Sequence, residues 1–174
     1  HLRQALADTD LGLVGPYGLV TNDLKEFREC NTGDVDAIEG YLMAFRRGMI
    51  QEIGWMDERF RFYRLLDIHT SFFVKAAGYR IVALPALANC LMKHPHREWF
   101  SLSEEERATR SKKNFDIYYR RWHHAQSLMT QNYRPGMRWP GHSVQSAGHN
   151  HAPEDLPPPG QPHCHSHQHW ADHA

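Results

Sequence analysis

The chain has 174 residues, enough for one domain and a tail. Its 20 basic and 20 acidic side chains give a formal net charge of zero, which indicates neither a basic nucleic-acid-binding surface nor an acidic block. We therefore expect no nucleic-acid partner.

The first part of the chain predicts short elements separated by glycine and proline. Residues 1–8 predict the last turns of a helix, and the apolar run 11–16 predicts a buried strand that ends at Gly-Pro. Residues 17–33 mix polar and apolar side chains and predict a loop with a helical turn. Residues 35–45 predict a strand that is broken or bulged at Gly40, because glycine within a strand often marks close backbone approach.

The middle of the chain predicts alternating helices and strands. Residues 46–54 predict a short helix ended by glycine. Apolar side chains at intervals of three and four residues predict a helix over 66–77, which Gly78 ends. Residues 79–84 and the apolar run 86–92 then predict two strands.

The last third divides into a helix and a tail. Ser103 and Glu106 match a capping box, which predicts the start of a long charged helix that runs to about residue 128. Beyond it, proline, glycine and histidine replace aliphatic residues, so too little apolar surface is buried to offset the entropy lost on ordering. We therefore expect a folded domain over 1–130 and a flexible Pro/Gly/His-rich tail over 131–174.

The cysteines and the hydropathy predict the cellular compartment. Cys30, Cys90 and Cys164 are widely spaced and odd in number, which is a poor disulfide framework and typical of a reducing compartment. No run approaches the roughly 18 apolar residues that a membrane-spanning helix needs, and no signal-peptide pattern is present. We expect a cytoplasmic protein without a transmembrane segment.

Six stretches occur in a recognisable order. They are residues 12–16, 35–47, 53–60, 67–85, 94–99 and 111–115. Their order and spacing resemble the C-terminal, acceptor-side half of a family 2 glycosyltransferase, and the resemblance covers roughly residues 1–125. It implies an α/β fold with a partial GT-A-like mixed sheet flanked by helices, followed by the long C-terminal helix and a disordered His/Pro-rich tail.

The resemblance assigns the general base to Asp67. The family carries an acidic Glu-Asp-x-Asp cluster at the start of this helix, and here the cluster reads Leu66-Asp67-Ile68-His69, so one carboxylate is left. Inverting transfer needs a base within about 3 Å of the attacking oxygen, opposite the leaving nucleoside diphosphate. The residues alone leave a second interpretation open, in which Asp67 caps the helix.

Four further residues are assigned to substrate binding by the same resemblance. Glu39 and Gly40 match the segment that lines the sugar and acceptor pocket, where glycine permits close approach and Glu39 accepts hydrogen bonds from sugar hydroxyls. Trp55 and Asp57 lie in the loop over the expected acceptor cleft, where an indole could stack on a sugar face. The alternatives are a bulge beside an exposed acid and a core or lid tryptophan.

The resemblance also implies a divalent cation. His94, or its neighbour His96, matches a histidine that helps hold Mg²⁺ or Mn²⁺ on the diphosphate, and the alternative is a pair of surface-loop histidines. The family's metal motif Asp-x-Asp and its nucleotide-binding half precede the matched region. We do not assign Asp8-Thr9-Asp10 to that motif, because it directly precedes the strand at 11–16.

Three function classes follow. The first is an inverting glycosyltransferase, or its acceptor-side fragment, that moves a sugar from a nucleotide sugar to a hydroxyl of a saccharide or lipid-linked acceptor. The second is a non-catalytic structural or interaction subunit derived from a truncated domain, with a protein or the missing N-terminal half as partner. A third, opportunistic binding of Zn²⁺, Ni²⁺ or Cu²⁺, is raised by alternating histidines over 163–169.

Overall fold

The fold is mixed α/β, as predicted, and a computed structural model describes residues 2–54, 56–60, 65–88 and 97–140. The strands are β1 (Leu11–Gly15), β2 (Gly18–Thr21), β3 (Phe27–Glu29), β4 (Gly33–Asp34), β5 (Ala37–Ile38), β6 (Ala44–Phe45) and β7 (Arg80–Ala83). The helices are α1 (Leu2–Ala5), α2 (Arg47–Ile53), α3 (Leu66–Ala76), α4 (Pro85–Ala88), α5 (Arg97–Phe100) and α6 (Glu104–Trp122), with a 3₁₀ turn at Gln126–Leu128.

The described strands form two sheets. The four-stranded sheet has the order β4-β7-β1-β6, in which β1 runs parallel to β7 and antiparallel to β6. All five residues of β1 are buried, as expected of an interior strand that is covered on both faces. The three-stranded sheet has the order β3-β2-β5 and is antiparallel throughout.

Helix α3 packs against two clusters of buried apolar side chains. One side packs its Phe72 ring against Tyr118 and Trp122 of α6, and another side packs Val74 into the cluster that includes Leu13 of β1. Eight of its 11 residues are buried, so its polar side chains must find partners inside the protein.

The charged member of these buried polar side chains is Lys75, which is 1% exposed. Its Nζ donates to Oδ1 of Asp36 at 2.8 Å and to the hydroxyl of Thr130 at 3.0 Å. The other oxygen of Asp36 accepts the N–H of Thr21 at 2.7 Å. Burial lowers the pKa of Lys75, and the carboxylate of Asp36 opposes that shift. The pair therefore joins β2, α3 and the segment after α6.

The segment after α6 returns across the C-terminal end of α3. Three of its hydrogen bonds reach backbone carbonyl oxygens there, from Tyr133 Oη to Tyr79 (2.7 Å), from Gly136 N to Gly78 (2.8 Å) and from Trp139 N to Ala76 (2.9 Å). The bond from Trp139 supplies a partner for Ala76, one of the carbonyls that the end of α3 leaves without an intrahelical partner. The first ten residues of the predicted tail are thus packed against the domain, and residues 141–174 lie outside the described residues.

Several predicted elements are confirmed. The strand at β1, the helices α2 and α3 and the strand β7 lie within two residues of their predicted bounds. The capping box is present, because Ser103 Oγ accepts the Glu106 N–H while the Glu106 carboxylate accepts the Ser103 N–H. Helix α6 ends at Trp122, six residues before the predicted end, and the 3₁₀ turn follows.

Two predicted elements are wrong and one is right in part. Residues 17–33 contain β2, β3 and the start of β4 instead of a loop with a helical turn, because the side chains of Thr21 and Asp23 accept backbone N–H groups of residues 24–26 and close a hairpin. The predicted strand at 35–45 is broken around Gly40, as predicted, but its two parts, β5 and β6, lie in different sheets. Residues 85–88, at the start of the predicted last strand, are helical, since proline suits a first helical position.

None of the helices in the described ranges is both long and apolar enough to span a membrane. The longest, α6, has 19 residues and is rich in charged side chains.

Replacing the buried lysine tests how far the fold depends on this ion pair. We expect Lys75→Met to lower the free energy of unfolding by about 3–5 kcal/mol, because it leaves the Asp36 carboxylate buried without a counter-charge. Adding Asp36→Asn should recover part of the loss. Urea denaturation followed by circular dichroism measures both.

The matched control is Lys112→Met, which breaks an exposed pair with Asp116 of similar length, 2.8 Å. We expect a change below about 1 kcal/mol. An equally small effect of Lys75→Met would contradict the role given to the buried pair.

Candidate functional site

A polar stripe of α3, defined by Asp67, Ser71 and Lys75, faces the segment around β5. Its members are four residues apart and bond to alternate residues of that segment. The three bonds run from Gly40 N to Asp67 Oδ2 (2.9 Å), from Ile38 N to Ser71 Oγ (3.1 Å) and from Lys75 Nζ to Asp36 Oδ1 (2.8 Å). Four helical residues rise about 6 Å and two strand residues span about 6.6 Å, so the two repeats stay in register.

Asp67 is the member of the stripe at the exposed end. It lies in the first turn of α3 and is partly exposed, whereas Ser71 and Lys75 are buried. Its second oxygen accepts the N–H of Ile68 at 2.9 Å. These two bonds orient the carboxylate between the first turn of α3 and the segment after β5.

The start of α3 is shaped by a strained residue. The N-cap is Leu65, which has φ 65° and makes no side-chain cap bond. A left-handed conformation is uncommon for leucine and turns the chain sharply into the helix. Asp67 therefore does not occupy the capping position that one interpretation of the sequence gave it. It connects the first turn to Gly40 instead.

Two of the predicted site residues, Gly40 and Asp67, are thus in contact although they are 27 positions apart. Gly40 is exposed, and a Cβ atom built there would lie 3.5 Å from Asp67 Oδ2, which is ordinary van der Waals contact. Glu39 is only 6% exposed, and its N–H donates to the carbonyl of Tyr17 at 2.9 Å. The contact between glycine and Asp67 is therefore the accessible part of this group.

Asp57 belongs to a second cluster, with Arg59 and His69. Nε of Arg59 donates to both carboxylate oxygens of Asp57 at 2.9 and 3.0 Å, and the Arg59 N–H donates to Oδ1 at 3.0 Å. Burial acts to raise the pKa of Asp57, but the interactions with His69 and Arg59 outweigh it and hold that pKa well below its usual range. Asp57 is therefore ionised at neutral pH.

His69 is a functional candidate that the sequence did not reveal. It is 1% exposed, and its Nδ1 accepts the indole N–H of Trp122 at 3.0 Å. Its Nε2 lies 3.6 Å from Oδ2 of Asp57. Burial lowers the pKa of His69, Asp57 opposes that shift, and Arg59 and Arg121 add to it. The sequence showed His69 only as the residue that replaces an acid of the family motif. Its partner Trp122 is 53 positions away, so no local pattern indicated their contact.

The predicted metal ligands His94 and His96 and the predicted substrate-binding residue Trp55 lie outside the described residues. Within the described ranges, no group of three or more histidine, cysteine, aspartate or glutamate side chains is arranged to hold a metal ion. The Mg²⁺ or Mn²⁺ site stays a prediction.

Comparisons with protein-family models, with curated proteins and with solved structures find no match to this chain. The relation to family 2 glycosyltransferases accordingly remains a proposal that rests on the motifs and on the geometry around Asp67.

The buried histidine predicts an acid-sensitive fold. Because the folded-state pKa of His69 is lowered, its contribution to stability is complete above the unfolded pKa of about 6.5 and is lost as pH falls through the folded value. We expect the unfolding free energy of the wild-type chain to fall between pH 7 and pH 5, and His69→Phe to reduce that slope. Chemical denaturation at a series of pH values measures it.

His124→Phe is the matched control, since His124 is exposed and should leave the slope unchanged. A slope in His69→Phe equal to that of the wild type would show that other groups cause the acid sensitivity.

Proposed function

We propose that this chain is the acceptor-side part of an inverting glycosyltransferase of the GT-A type, with Asp67 as its general base. The observation that carries the proposal is the bond between the Gly40 N–H and the Asp67 carboxylate, at the exposed end of the polar stripe. A general base must be held on rigid elements with its lone pairs directed at the substrate. A buried helix and the segment that follows β5 provide such a support.

The proposed reaction is a single displacement. The acceptor hydroxyl oxygen attacks the anomeric carbon of the nucleotide sugar, and the bond from that carbon to the diphosphate oxygen breaks. The hydroxyl proton passes to Asp67, and the nucleoside diphosphate leaves with the bonding electron pair. The described residues offer no cluster that fits a divalent cation, so no step is assigned to one in this part of the chain.

The donor is proposed to bind mainly outside the described fold. In the family that the chain resembles, the nucleotide-binding half precedes the matched region. Strand β6 lies at one end of the described four-stranded sheet, and an edge strand is where further strands pair. We propose that the nucleotide half adds its strands beside β6.

A structural subunit is the second candidate function. It is favoured by the fact that both oxygens of Asp67 accept backbone N–H groups of this chain. The bond from Gly40 connects α3 to the segment after β5 without any substrate. Under this alternative, loss of the carboxylate reduces stability and has no separate effect on activity. The two candidates therefore differ in what Asp67→Asn changes.

The test is Asp67→Asn in the complete protein, assayed for transfer from nucleotide sugars to saccharide and lipid-linked acceptors. Asparagine keeps an oxygen that can accept one of the two backbone N–H groups. We expect a fall in kcat of about 10²–10⁴, the range that a general base contributes, with the fold retained.

Asp116→Asn serves as the control, because Asp116 is an exposed carboxylate on α6 and should leave kcat unchanged. Turnover of Asp67→Asn at the wild-type rate would remove Asp67 as the base. A loss of stability as its sole effect would favour the structural subunit.

Gly40 supplies an independent test of the pocket. We expect Gly40→Ala to change stability by less than about 1 kcal/mol, because the added methyl meets Asp67 only at contact distance. If substrate approaches the backbone here, the same methyl group should raise the KM for acceptor or donor several-fold. Steady-state kinetics and thermal denaturation measure the two effects.

Gly78→Ala is the contrasting variant, since Gly78 has φ 97° and packs against Gly136. We expect it to destabilise the fold and leave KM unchanged. Kinetics of Gly40→Ala identical to the wild type would place the substrate elsewhere.

A further inference from the structure

Trp122, His69 and Asp57 form a chain of polar contacts that runs from the core to a surface loop. Trp122 is fully buried in α6, His69 is buried in α3, and Asp57 lies in the loop at residues 57–60 with 13% of its side chain exposed. We propose that His69 is a positioning residue, which takes its tautomer from Trp122 and holds Asp57, and through it Arg59, at the N-terminal end of α3.

The tautomer of His69 follows from its partner. An indole N–H can only donate, so Nδ1 of His69 must present a lone pair and the proton of the neutral ring lies on Nε2. The nearest carboxylate oxygen to that N–H belongs to Asp57, which is ionised and can therefore only accept. The donor and acceptor roles along the chain are therefore consistent from end to end.

The distance between Nε2 and Oδ2 of Asp57, 3.6 Å, is longer than an ordinary hydrogen bond. Nε2 is buried and has no hydrogen-bond partner within the described ranges. A buried N–H without a partner costs about 1–3 kcal/mol, so the carboxylate is attracted to this position. Hydrogen bonds at functional sites are often long without substrate and shorten when it binds.

The surroundings strengthen the attraction. The rings of Phe60 and Phe73 lie 4.6 and 4.9 Å from the imidazole centroid, and Trp122 lies 5.8 Å away. This apolar wall excludes water, so the N–H dipole and the carboxylate interact in a medium of low dielectric constant. The charged groups that act on His69 are Asp57, Arg59 and Arg121.

As a consequence, the loop at residues 57–60 is held at the N-terminal end of α3, which is the end that carries the proposed base. His69 and Asp67 both lie in the first four residues of α3, so the loop and the base share that end of the helix. Side chains two positions apart on a helix point about 200° from one another. The Asp57–Arg59 pair, which faces His69, and the Asp67 carboxylate therefore lie on opposite sides of α3. The role of the loop at the acceptor rests on the proposed function. The chain of contacts from Trp122 to Asp57 does not depend on it.

Two measurements on the full chain test the positioning role without any assay of activity. Nitrogen NMR of the wild-type histidine ring should show Nε2 protonated and Nδ1 bare at pH 7.5. Amide hydrogen exchange should show Arg59 and Phe60 protected, since their N–H groups bond to the side chain and the carbonyl of Asp57. We expect His69→Phe to speed exchange at both amides by about tenfold or more, through local opening of the loop.

Matched variants separate positioning from packing. Asp57→Asn should give the same acceleration, and the double variant with His69→Phe should add little to either single change. His69→Gln should restore protection, because its amide offers an acceptor to Trp122 and a donor to Asp57. The Glu106 amide in the distant capping box should exchange at the same rate in every variant.

Two outcomes would overturn the inference. One is an Nδ1-protonated ring in the wild type, which requires no variant to fold. The other is unchanged exchange at Arg59 and Phe60 in His69→Phe. In the complete protein, His69→Phe should also raise the acceptor KM more than it lowers kcat. If the wild type transfers no sugar, the proposed function fails, while the NMR and exchange results still decide the positioning role.

Discussion

The register between α3 and the β5 segment is the constraint on which the rest of the structure depends. Lys75 and Asp36 are both buried, so neither charge can leave the other without a large penalty, and this fixes the rotation of α3 about its axis. Once the rotation is fixed, positions four and eight residues earlier must face the same segment, which brings Ser71 to Ile38 and Asp67 to Gly40. The orientation of the candidate base is set by a charge pair two turns away.

The same rotation separates the roles of the remaining faces of α3. Phe72 turns to the aromatic cluster with α6, Val74 turns to the four-stranded sheet, and His69 turns to Trp122. Each buried polar side chain of α3 has at least one hydrogen-bond partner inside the protein, although Nε2 of His69 has none within the described ranges. Protonation of His69 at low pH and replacement of Lys75 therefore both destabilise the packing of the same helix.

The sequence predicted the elements that have local signals and missed those that depend on distant partners. Apolar spacing, Gly78 and the capping box at Ser103 marked α3, β7 and the start of α6 correctly. The hairpin of β2 and β3 was missed because its turn is closed by the side chains of Thr21 and Asp23, without a glycine signal. For the site, Asp67 and Gly40 were each proposed from motifs, but their contact depends on the register of α3. His69 was not proposed, because its role exists only once Trp122 and Asp57 are beside it.

The most direct measurement of the central claim is a structure of the complete protein with a nucleoside diphosphate and an acceptor saccharide bound. The account predicts that the acceptor hydroxyl oxygen lies within about 3 Å of an Asp67 carboxylate oxygen, as proton transfer to a general base requires, with Gly40 beside the sugar. An acceptor hydroxyl bound beyond the reach of Asp67, or held instead by another carboxylate such as Asp57, would contradict it.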